Sequence, residues 1–344
     1  MSRTVVRTRF FSAVLPLRSA AVALVALAAA LTVAVFAIGR GSYAIPPGTV
    51  VDVLLGGGTP GQQLVILDLR LPRILGALLV GAALGLSGAL TQTFARNPLA
   101  TPDVLGVTSG ASLGAVALIV LGGSGGVAGV PLAALAGGLL AAALVYVLAW
   151  RRGIDGYRLV LVGLGVGEIV QSGVSWFLVR AEIVDAYRAT VWLNGSVAGV
   201  EWEQVRPLAI ALAFLVPAAL ATGFTLRAIQ FDDDVARSLG VRLQLARLAV
   251  VLTAIALAAA AVSAAGPIEF VAFVVPQVAL RLCRGSRPPL LTSAVLGALL
   301  VAGADLVART VLPGRELPVG LVTAIVGAPY LLWLLVRTNR RNSA

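Results

Sequence analysis

The sequence contains no histidine, no lysine and one cysteine, Cys283. A chain without lysine cannot form a Walker A phosphate loop, so the glycine-rich stretch GGGTPG at 56–61 is interpreted as a flexible loop. A chain without histidine and with one cysteine cannot form a Ser-His-Asp triad, a usual zinc site or an internal disulfide. These absences argue against an enzyme, and against ATP hydrolysis through a Walker motif in this chain.

Charge is also scarce. Only 12% of the 344 residues are charged, 59% are hydrophobic, and the mean hydropathy is +0.99. This composition lies outside the range of soluble domains and indicates an integral membrane protein. The formal net charge is +11, but the 26 basic residues, all arginine, are scattered singly between apolar stretches. They form no basic stripe, so we predict no nucleic-acid partner.

Apolar segments of about 20 residues are long enough to cross a bilayer as helices. We therefore predict an all-α polytopic fold of about ten transmembrane helices in one domain, 1–344. The first apolar run exceeds the length of a signal-peptide core, so it is interpreted as an uncleaved span. The eighth is too short for a full crossing and is expected to be a half-helix inside the protein. The windows are 19–38, 71–92, 104–121, 129–149, 158–179, 206–225, 245–265, 268–281, 290–308 and 318–337.

The arginines predict the orientation of these spans. With a cytoplasmic N-terminus, 18 of the 26 arginines fall on the inner side, as the positive-inside rule requires. Both termini are then cytoplasmic, with a tail at 1–18. The segment 226–244, which contains the acidic stretch FDDDVARSLGV, also lies on the cytoplasmic face.

Charged residues near the predicted outer ends are candidates for contact with a partner. Arg70 and Arg73 of RLPR are three residues apart on one helical face and could bind carboxylates, although interfacial arginines also snorkel without a specific role. Asp305 and Arg309 are four residues apart and are expected to pair near the outer surface. A solvated pair of this kind stabilises a helix by only about 0.3–0.5 kcal/mol.

Polar residues inside the spans are candidates for a transport path. Glu168 lies near the middle of the fifth window with Gln171 on the same face, and a carboxylate at this depth is costly unless it faces a wet cavity or is buried against another helix. The segment 191–204 suits either an interfacial belt or the mouth of a cavity. The prolines and glycines of 91–114 and 265–291 predict broken helices; Gly266 and Pro267 precede the eighth window and Pro276 is expected to interrupt it.

Five segments, taken in order, resemble a known family: RLPR (70–73), SGALTQTFARNPLATPDVLGVTSGASLG (87–114), DDDVARSLGV (232–241), GPIEFVAFVVPQVALR (266–281) and ADLVART with ELPVGLVTAIVGAPYLLWLL (304–310 and 316–335). They are similar to the iron-chelate and cobalamin permeases of the FecCD family, the membrane subunits of type II ABC importers. The resemblance extends from about Arg70 to Arg337.

The resemblance implies ten helices per subunit and two permease subunits, identical or merely similar, around a central path in the cytoplasmic membrane. It also implies two cytoplasmic ATPase subunits, which bind the ATP and Mg²⁺, and an extracytoplasmic substrate-binding protein. The chain itself would bind no cofactor and no metal and would catalyse no reaction. The cargo implied is a ferric siderophore, with cobalamin or haem as alternatives.

The resemblance also assigns residue roles. Docking of the binding protein falls on Arg70, Arg73 and Arg309. Coupling to the ATPase falls on a short cytoplasmic helix comprising Asp232, Asp233, Asp234, Ala236, Arg237, Ser238, Leu239 and Gly240. Together with the polar positions above, the predicted gate and pathway residues are Gln92, Asn97, Pro98, Leu99, Gly156, Tyr157, Glu168, Gln171, Asn194 and Gln277.

At one position the sequence departs from the family pattern. Many members have histidine where this chain has Gln277, and glutamine can hydrogen-bond but cannot titrate near neutral pH. Glu168 and Glu269 are not part of that pattern. A different class of protein therefore remains as an alternative: an ion-coupled secondary transporter that uses Glu168 as its ion site.

Overall fold

The computed structural model describes residues 3–7, 12–41, 43–122, 128–151, 153, 156–223, 226, 238, 242–285, 288–312 and 316–342. In chain order the elements are β1 Arg3–Arg7, β2 Ser12–Pro16, α1 Leu17–Gly39, α2 Pro47–Leu54, α3 Pro60–Gln63, a π-helix Leu64–Arg70, α4 Leu71–Ala95, a 3₁₀ turn Pro102–Leu105, α5 Val107–Val120, α6 Gly129–Ala149, α7 Gly156–Arg180, α8 Ile183–Leu193, α9 Trp202–Ala221, α10 Leu243–Ala265, α11 Val271–Cys283, α12 Leu290–Thr310 and α13 Val319–Asn342.

Each predicted span coincides with an apolar helix. Within the described residues, seven helices are long and apolar enough to cross a membrane. Three shorter apolar helices, Val107–Val120, Val271–Cys283 and Val319–Leu334, complete the ten predicted windows. The all-α membrane fold is therefore confirmed.

The segment predicted as an N-terminal tail at 1–18 contains local structure. Strands β1 and β2 form an antiparallel hairpin in which Val5 is opposite Val14. Helix α1 begins directly afterwards at Leu17. Near this start, the Arg18 Nε donates to the carbonyl oxygen of Leu282 at 2.7 Å, which attaches the beginning of α1 to the end of α11.

Helix α4 is the central element of the fold. Most of its residues are buried, and α9, α10, α11 and α12 all pack against it. Glycine makes this close approach feasible, since a side chain at Gly81 would overlap the backbone of Gly297 on α12. Likewise, a Cβ at Gly88 would overlap the carbonyl oxygen of Ala272 on α11. Small residues at such crossings allow helix backbones to approach within van der Waals contact.

The start of α4 has an unusual backbone. Pro72 cannot donate a hydrogen bond to the preceding turn, and the N–H of Leu71 donates to the carbonyl of Ile66, five residues back. This spacing extends the π-helix that carries Arg70 into α4 without a break. The RLPR motif therefore lies at a junction between two helix types, a place where π-helical turns often carry function.

The eighth apolar helix, α11, is short, as predicted. Its 13 residues span about 20 Å. It follows an irregular segment in which Gly266 has a φ of +71° and Phe270 a φ of +65°. The predicted interruption at Pro276 is wrong, because α11 continues through Pro276 to Cys283.

The glycine contacts give a direct test of the packing around α4. We expect Gly88→Ala to lower the free energy of unfolding by about 1–3 kcal/mol, because its methyl group would overlap the Ala272 carbonyl. The control is Gly303→Ala on α12, where no atom lies within 4 Å of the new methyl group. That variant should be neutral or stabilising by up to about 1 kcal/mol. Denaturant unfolding in detergent micelles measures both, and equal values would contradict the packing argument.

Candidate functional site

Apart from the predicted coupling segment, the predicted site residues lie near the two ends of α4 and on one face of α7. We call the end of the molecule that contains the first turn of α4 the Arg73 end, and the opposite end the Asn97 end. The 25 residues of α4 place these ends about 37 Å apart.

At the Arg73 end, a buried carboxylate joins two helices. Asp305 on α12 is fully buried, and its Oδ1 accepts from Arg73 Nη2 on α4 at 2.8 Å and from Arg73 Nε at 3.0 Å. Its other oxygen, Oδ2, lies 2.8 Å from Arg309 Nη2 on the next turn of α12. Arg73 Nη1 also donates to Glu316 Oε2 at 2.9 Å. These four residues form the ion cluster of the Arg73 end.

Burial changes the energetic role of this cluster. The side chains of Arg73 and Arg309 are 12% and 9% exposed, and Asp305 is 0% exposed. The expectation of a weak, solvated Asp305–Arg309 pair is therefore wrong. Asp305 is instead shared between two largely buried guanidinium groups, and removing one partner of a buried ion pair leaves an uncompensated charge.

Arg70 lies at the same end but has different partners. Its Nη1 donates to the carbonyl of Ile38 and its Nη2 to the carbonyl of Tyr43, both at 2.7 Å. Arg70 thus holds the chain that follows α1 against the π-helix. The three arginines predicted to dock a binding protein are near one another, and each is already paired within the chain.

A charge-removing pair of variants tests this cluster. We expect Asp305→Asn to lower the free energy of unfolding by about 3–5 kcal/mol, since two largely buried arginines would lose their shared anion. The matched control is Glu316→Gln, whose side chain is 52% exposed, with an expected loss of about 0–1 kcal/mol. Unfolding titrations of both purified variants decide the matter. A loss for Asp305→Asn no larger than the control would contradict a stabilising role for the shared carboxylate.

At the Asn97 end, the structure brings the two predicted gate segments together. Asn97 Oδ1 accepts from the backbone N–H of Leu99 at 2.9 Å, which closes the turn after α4. Asn97, Pro98 and Leu99 are exposed. The beginning of α7 lies against this turn, since a side chain at Gly156 would meet the Cα of Ala95 at 3.3 Å. Tyr157 follows and is 79% exposed.

Gln92 and Gln277 form a buried pair between α4 and α11. Gln277 Nε2 donates to Gln92 Oε1 at 2.7 Å, and Gln92 Nε2 donates to the carbonyl of Phe273 at 3.0 Å. Both side chains are at most 5% exposed. In this conformation they link two helices within the chain and face no solvent.

Asn194 lies at the Arg73 end, in the turn after α8. Its side-chain Nδ2 donates to the carbonyl of Thr190 at 2.8 Å. The turn is held against two other helices: Ser196 N donates to the carbonyl of Ala265, and Gly320 N to the carbonyl of Gly195. Gly195 has a φ of +63°, and a side chain there would overlap the carbonyl of Pro267. The helix α8 that positions this turn was not predicted from the sequence.

The outward face of α7 carries polar groups in the middle of a membrane-spanning helix. Glu168, Gln171, Ser172 and Ser175 are all exposed, and we call these four residues the α7 polar stripe. The opposite face of α7 is buried against the chain. A carboxylate in the middle of a membrane helix costs about 2.5–3.5 kcal/mol to insert, so a stripe facing hydrocarbon is disfavoured. The sequence pointed to Glu168 and Gln171 but missed the serines, which are unremarkable singly.

All but one of the residues of the predicted coupling segment lie outside the part of the chain that the structure describes. Asp232, Asp233, Asp234, Ala236, Arg237, Leu239 and Gly240 lie outside the described residues. Ser238 is described; it is exposed and has a helical backbone.

Known proteins are similar to this chain in sequence and in fold. The FecCD transport family matches residues 21–337. The chain belongs to this family. The ferric enterobactin transport system permease protein FepG of Escherichia coli (strain K12) is 37% identical over 92% of this chain and 96% of its own length. The achromobactin transport system permease protein CbrC of Dickeya dadantii (strain 3937) is 40% identical over 91% and 90%.

A solved structure supports the same assignment. A metal-chelate type ABC transporter in an inward-facing conformation superposes with a TM-score of 0.83 at 28% identity, covering 92% of this chain and 99% of that one. The present chain is therefore a multi-pass membrane permease of an ABC importer with the type II importer fold. It is a transport component and not an enzyme, and it works with ATPase and partner subunits.

Proposed function

We propose that this chain translocates a ferric siderophore across the cytoplasmic membrane by alternating access, as one of two permease subunits that enclose a central path. The observation that supports this most directly is the α7 polar stripe, which needs a wet surrounding although it lies in mid-membrane. A second subunit placed against this face would turn the stripe into the wall of a path. The alternation would open the Arg73 end and the Asn97 end in turn.

Two relationships favour iron as the cargo. One relative is named for ferric enterobactin transport, and a solved structure that superposes on this chain is described as a metal-chelate type ABC transporter. A cobalamin or haem cargo is the alternative within the same family. The cargo is not chemically altered during transport. ATP and Mg²⁺ bind to the separate ATPase subunits, and this chain binds no cofactor.

The distribution of arginines supports the orientation. Among the described residues, thirteen arginines occupy chain positions at or near the Asn97 end, against seven at or near the Arg73 end: Arg40, Arg70, Arg73, Arg180, Arg188, Arg206 and Arg309. We therefore place that end and both termini in the cytoplasm, following the positive-inside rule. The acidic segment around Asp232–Gly240 then faces the ATPase. That charged segment would transmit the movement of the ATPase to the gates.

The decisive experiment measures what drives transport. In proteoliposomes containing this permease, its ATPase and its binding protein, we expect uptake of a radiolabelled ferric siderophore to require ATP. Uptake should stop with an ATPase that cannot hydrolyse ATP, and it should persist when ionophores collapse the ion gradients. Uptake that follows the ion gradient while ATP is present would overturn the proposal in favour of a secondary transporter using Glu168. ATP-driven uptake of labelled cobalamin alone would keep the mechanism and overturn the cargo.

The extracytoplasmic binding protein is proposed to dock at the Arg73 end, with acidic residues directed at Arg73 and Arg309. Glu316 already occupies Arg73 Nη1 and is 52% exposed. An acidic partner must therefore displace or share this contact. The arginines themselves are poor sites for a test, because replacing Arg73 by glutamate would place a third carboxylate beside Asp305 and Glu316 and disrupt the fold.

Glu316→Gln offers a cleaner test of docking. Removing this exposed competitor should tighten binding of the substrate-binding protein by about two- to fivefold at low salt, the value of one exposed ion pair. The gain should shrink as ionic strength rises. Glu182→Gln, which removes the same charge between α7 and α8, should leave the affinity unchanged. Equal affinities for wild type and Glu316→Gln at low salt would count against docking on this cluster.

A further inference from the structure

The α7 polar stripe carries one unbalanced charge. Glu168 is the acidic member of the stripe, and no ion pair joins it to an arginine of the described residues. The nearest arginines on its own helix are Arg158 and Arg180, ten and twelve positions away, or about 15 and 18 Å along the axis. Arg180 moreover lies over the ring of Trp176, 4.4 Å from its centroid.

The stripe points away from the core of the chain. On the opposite side of α7, Leu159 and Val174 are at most 2% exposed. A side chain at Gly163, on that same side, would overlap the carbonyl of Val104 in the 3₁₀ turn before α5. Glu168 lies twelve residues into a 25-residue helix, so its carboxylate is near the middle of the span.

The other polar groups of the stripe are neutral, and two of them are already satisfied. Ser172 Oγ donates to the carbonyl of Glu168 at 2.9 Å, and Ser175 Oγ donates to the carbonyl of Gln171 at 3.1 Å. Because the serine hydrogens are used in these bonds, the Gln171 amide remains as the side-chain donor of the stripe and the Glu168 carboxylate as its charged group. One is a neutral hydrogen-bonding group and the other an anion.

We propose that Glu168 is a specificity-determining residue that makes the path selective for ferric chelates without net negative charge, of the hydroxamate type, over anionic chelates of the catecholate type. This inference rests on the proposed function, because it needs a second subunit to close the path around the stripe. Three hydroxamate anions neutralise one Fe³⁺ ion, whereas three catecholate dianions leave a trianion. Rings of carboxylates in pores favour cations and repel anions, and the repulsion is strong where the walls exclude water.

A chelate series that varies only in charge tests this proposal. A linear ferric trihydroxamate with one pendant amine provides a monocationic probe; its acetylated form is neutral and its succinylated form is monoanionic. ATP-driven uptake of each is measured in proteoliposomes with the complete importer and saturating loaded binding protein, so that capture is not limiting. A ferric tricatecholate serves as the trianionic probe.

We expect wild-type uptake to fall from the cationic to the neutral to the anionic probe, with about a tenfold difference between the extremes of the hydroxamate series. Glu168→Gln, which keeps the shape and removes the charge, should reduce this ratio to about twofold or less while changing uptake of the neutral probe less than about twofold. Asp52→Asn is the matched control, because it removes an exposed carboxylate from α2, outside the stripe. It should keep the wild-type ratio.

The outcomes separate this inference from the proposed function. ATP-driven uptake that is independent of probe charge, or a tricatecholate carried as fast as the neutral probe, overturns the role of Glu168 and leaves the importer intact. Both of these outcomes are measured on the wild-type importer, so they do not depend on the folding of a variant. An unchanged ratio in Glu168→Gln overturns it as well, as does loss of neutral uptake in that variant. Absence of ATP-driven uptake of every ferric probe overturns the proposed function itself.

Discussion

The fold depends on the close enclosure of α4 by its neighbours. A helix surrounded on all sides by other helices can pack tightly only where small residues let the backbones touch, and α4 meets α11 and α12 at Gly88 and Gly81. In a membrane the association of helices gains little from the hydrophobic effect, because lipid is as apolar as leucine. The close fit at these glycine crossings therefore determines how α11 and α12 pack against α4. The polar groups of α4 must form their hydrogen bonds and ion pairs within this packing.

Those partners explain why both ends of α4 are firmly attached. At the Arg73 end, Arg73 joins α12 through the buried Asp305. Further along, Gln92 joins α11 through Gln277 and the carbonyl of Phe273. In both connections, buried polar groups of α4 form hydrogen bonds with protein groups in place of the water that they lose on burial. They attach α4 to α12 near one end and to α11 near the other.

The sequence predicted the positions of the spans well, because hydrophobic length is a property of each segment alone. All ten windows contain apolar helices, including the short α11 after Gly266. It predicted less about contacts between distant segments. The pairing of Arg73 with Asp305, separated by 232 positions, and of Gln92 with Gln277 depends on how helices pack, which no local pattern records. The burial of Asp305 was missed for the same reason: an i, i+4 pair looks identical in sequence whether it faces water or α4.

Two features of the helices were not predicted correctly from local sequence: the continuity of α11 and the presence of α8. Pro276 suggested a break, but a proline inside a short helix that is enclosed by α4 and α12 is tolerated, since neighbouring groups restrain the turn. Helix α8 was missed because its 11 residues are too short and too polar to register as a span. Its role is visible only in three dimensions, where it positions the Asn194 turn against the ends of α10 and α13.

The ion cluster of the Arg73 end and Glu168 in the middle of α7 differ in how their charges are balanced. In the ion cluster of the Arg73 end, two arginines are balanced by Asp305 and Glu316, so the cluster has no net charge. Its buried anion, Asp305, holds α4 and α12 together, and its exposed anion, Glu316, also accepts a hydrogen bond from Arg73. Among the residues that the structure describes, Glu168 has no ion-pair partner of this kind. A carboxylate on an outward face in mid-membrane that lacks an ion-pair partner within the described part of the chain is retained at a cost in stability. Interaction with a molecule that passes along this face is the use of Glu168 that would offset the cost.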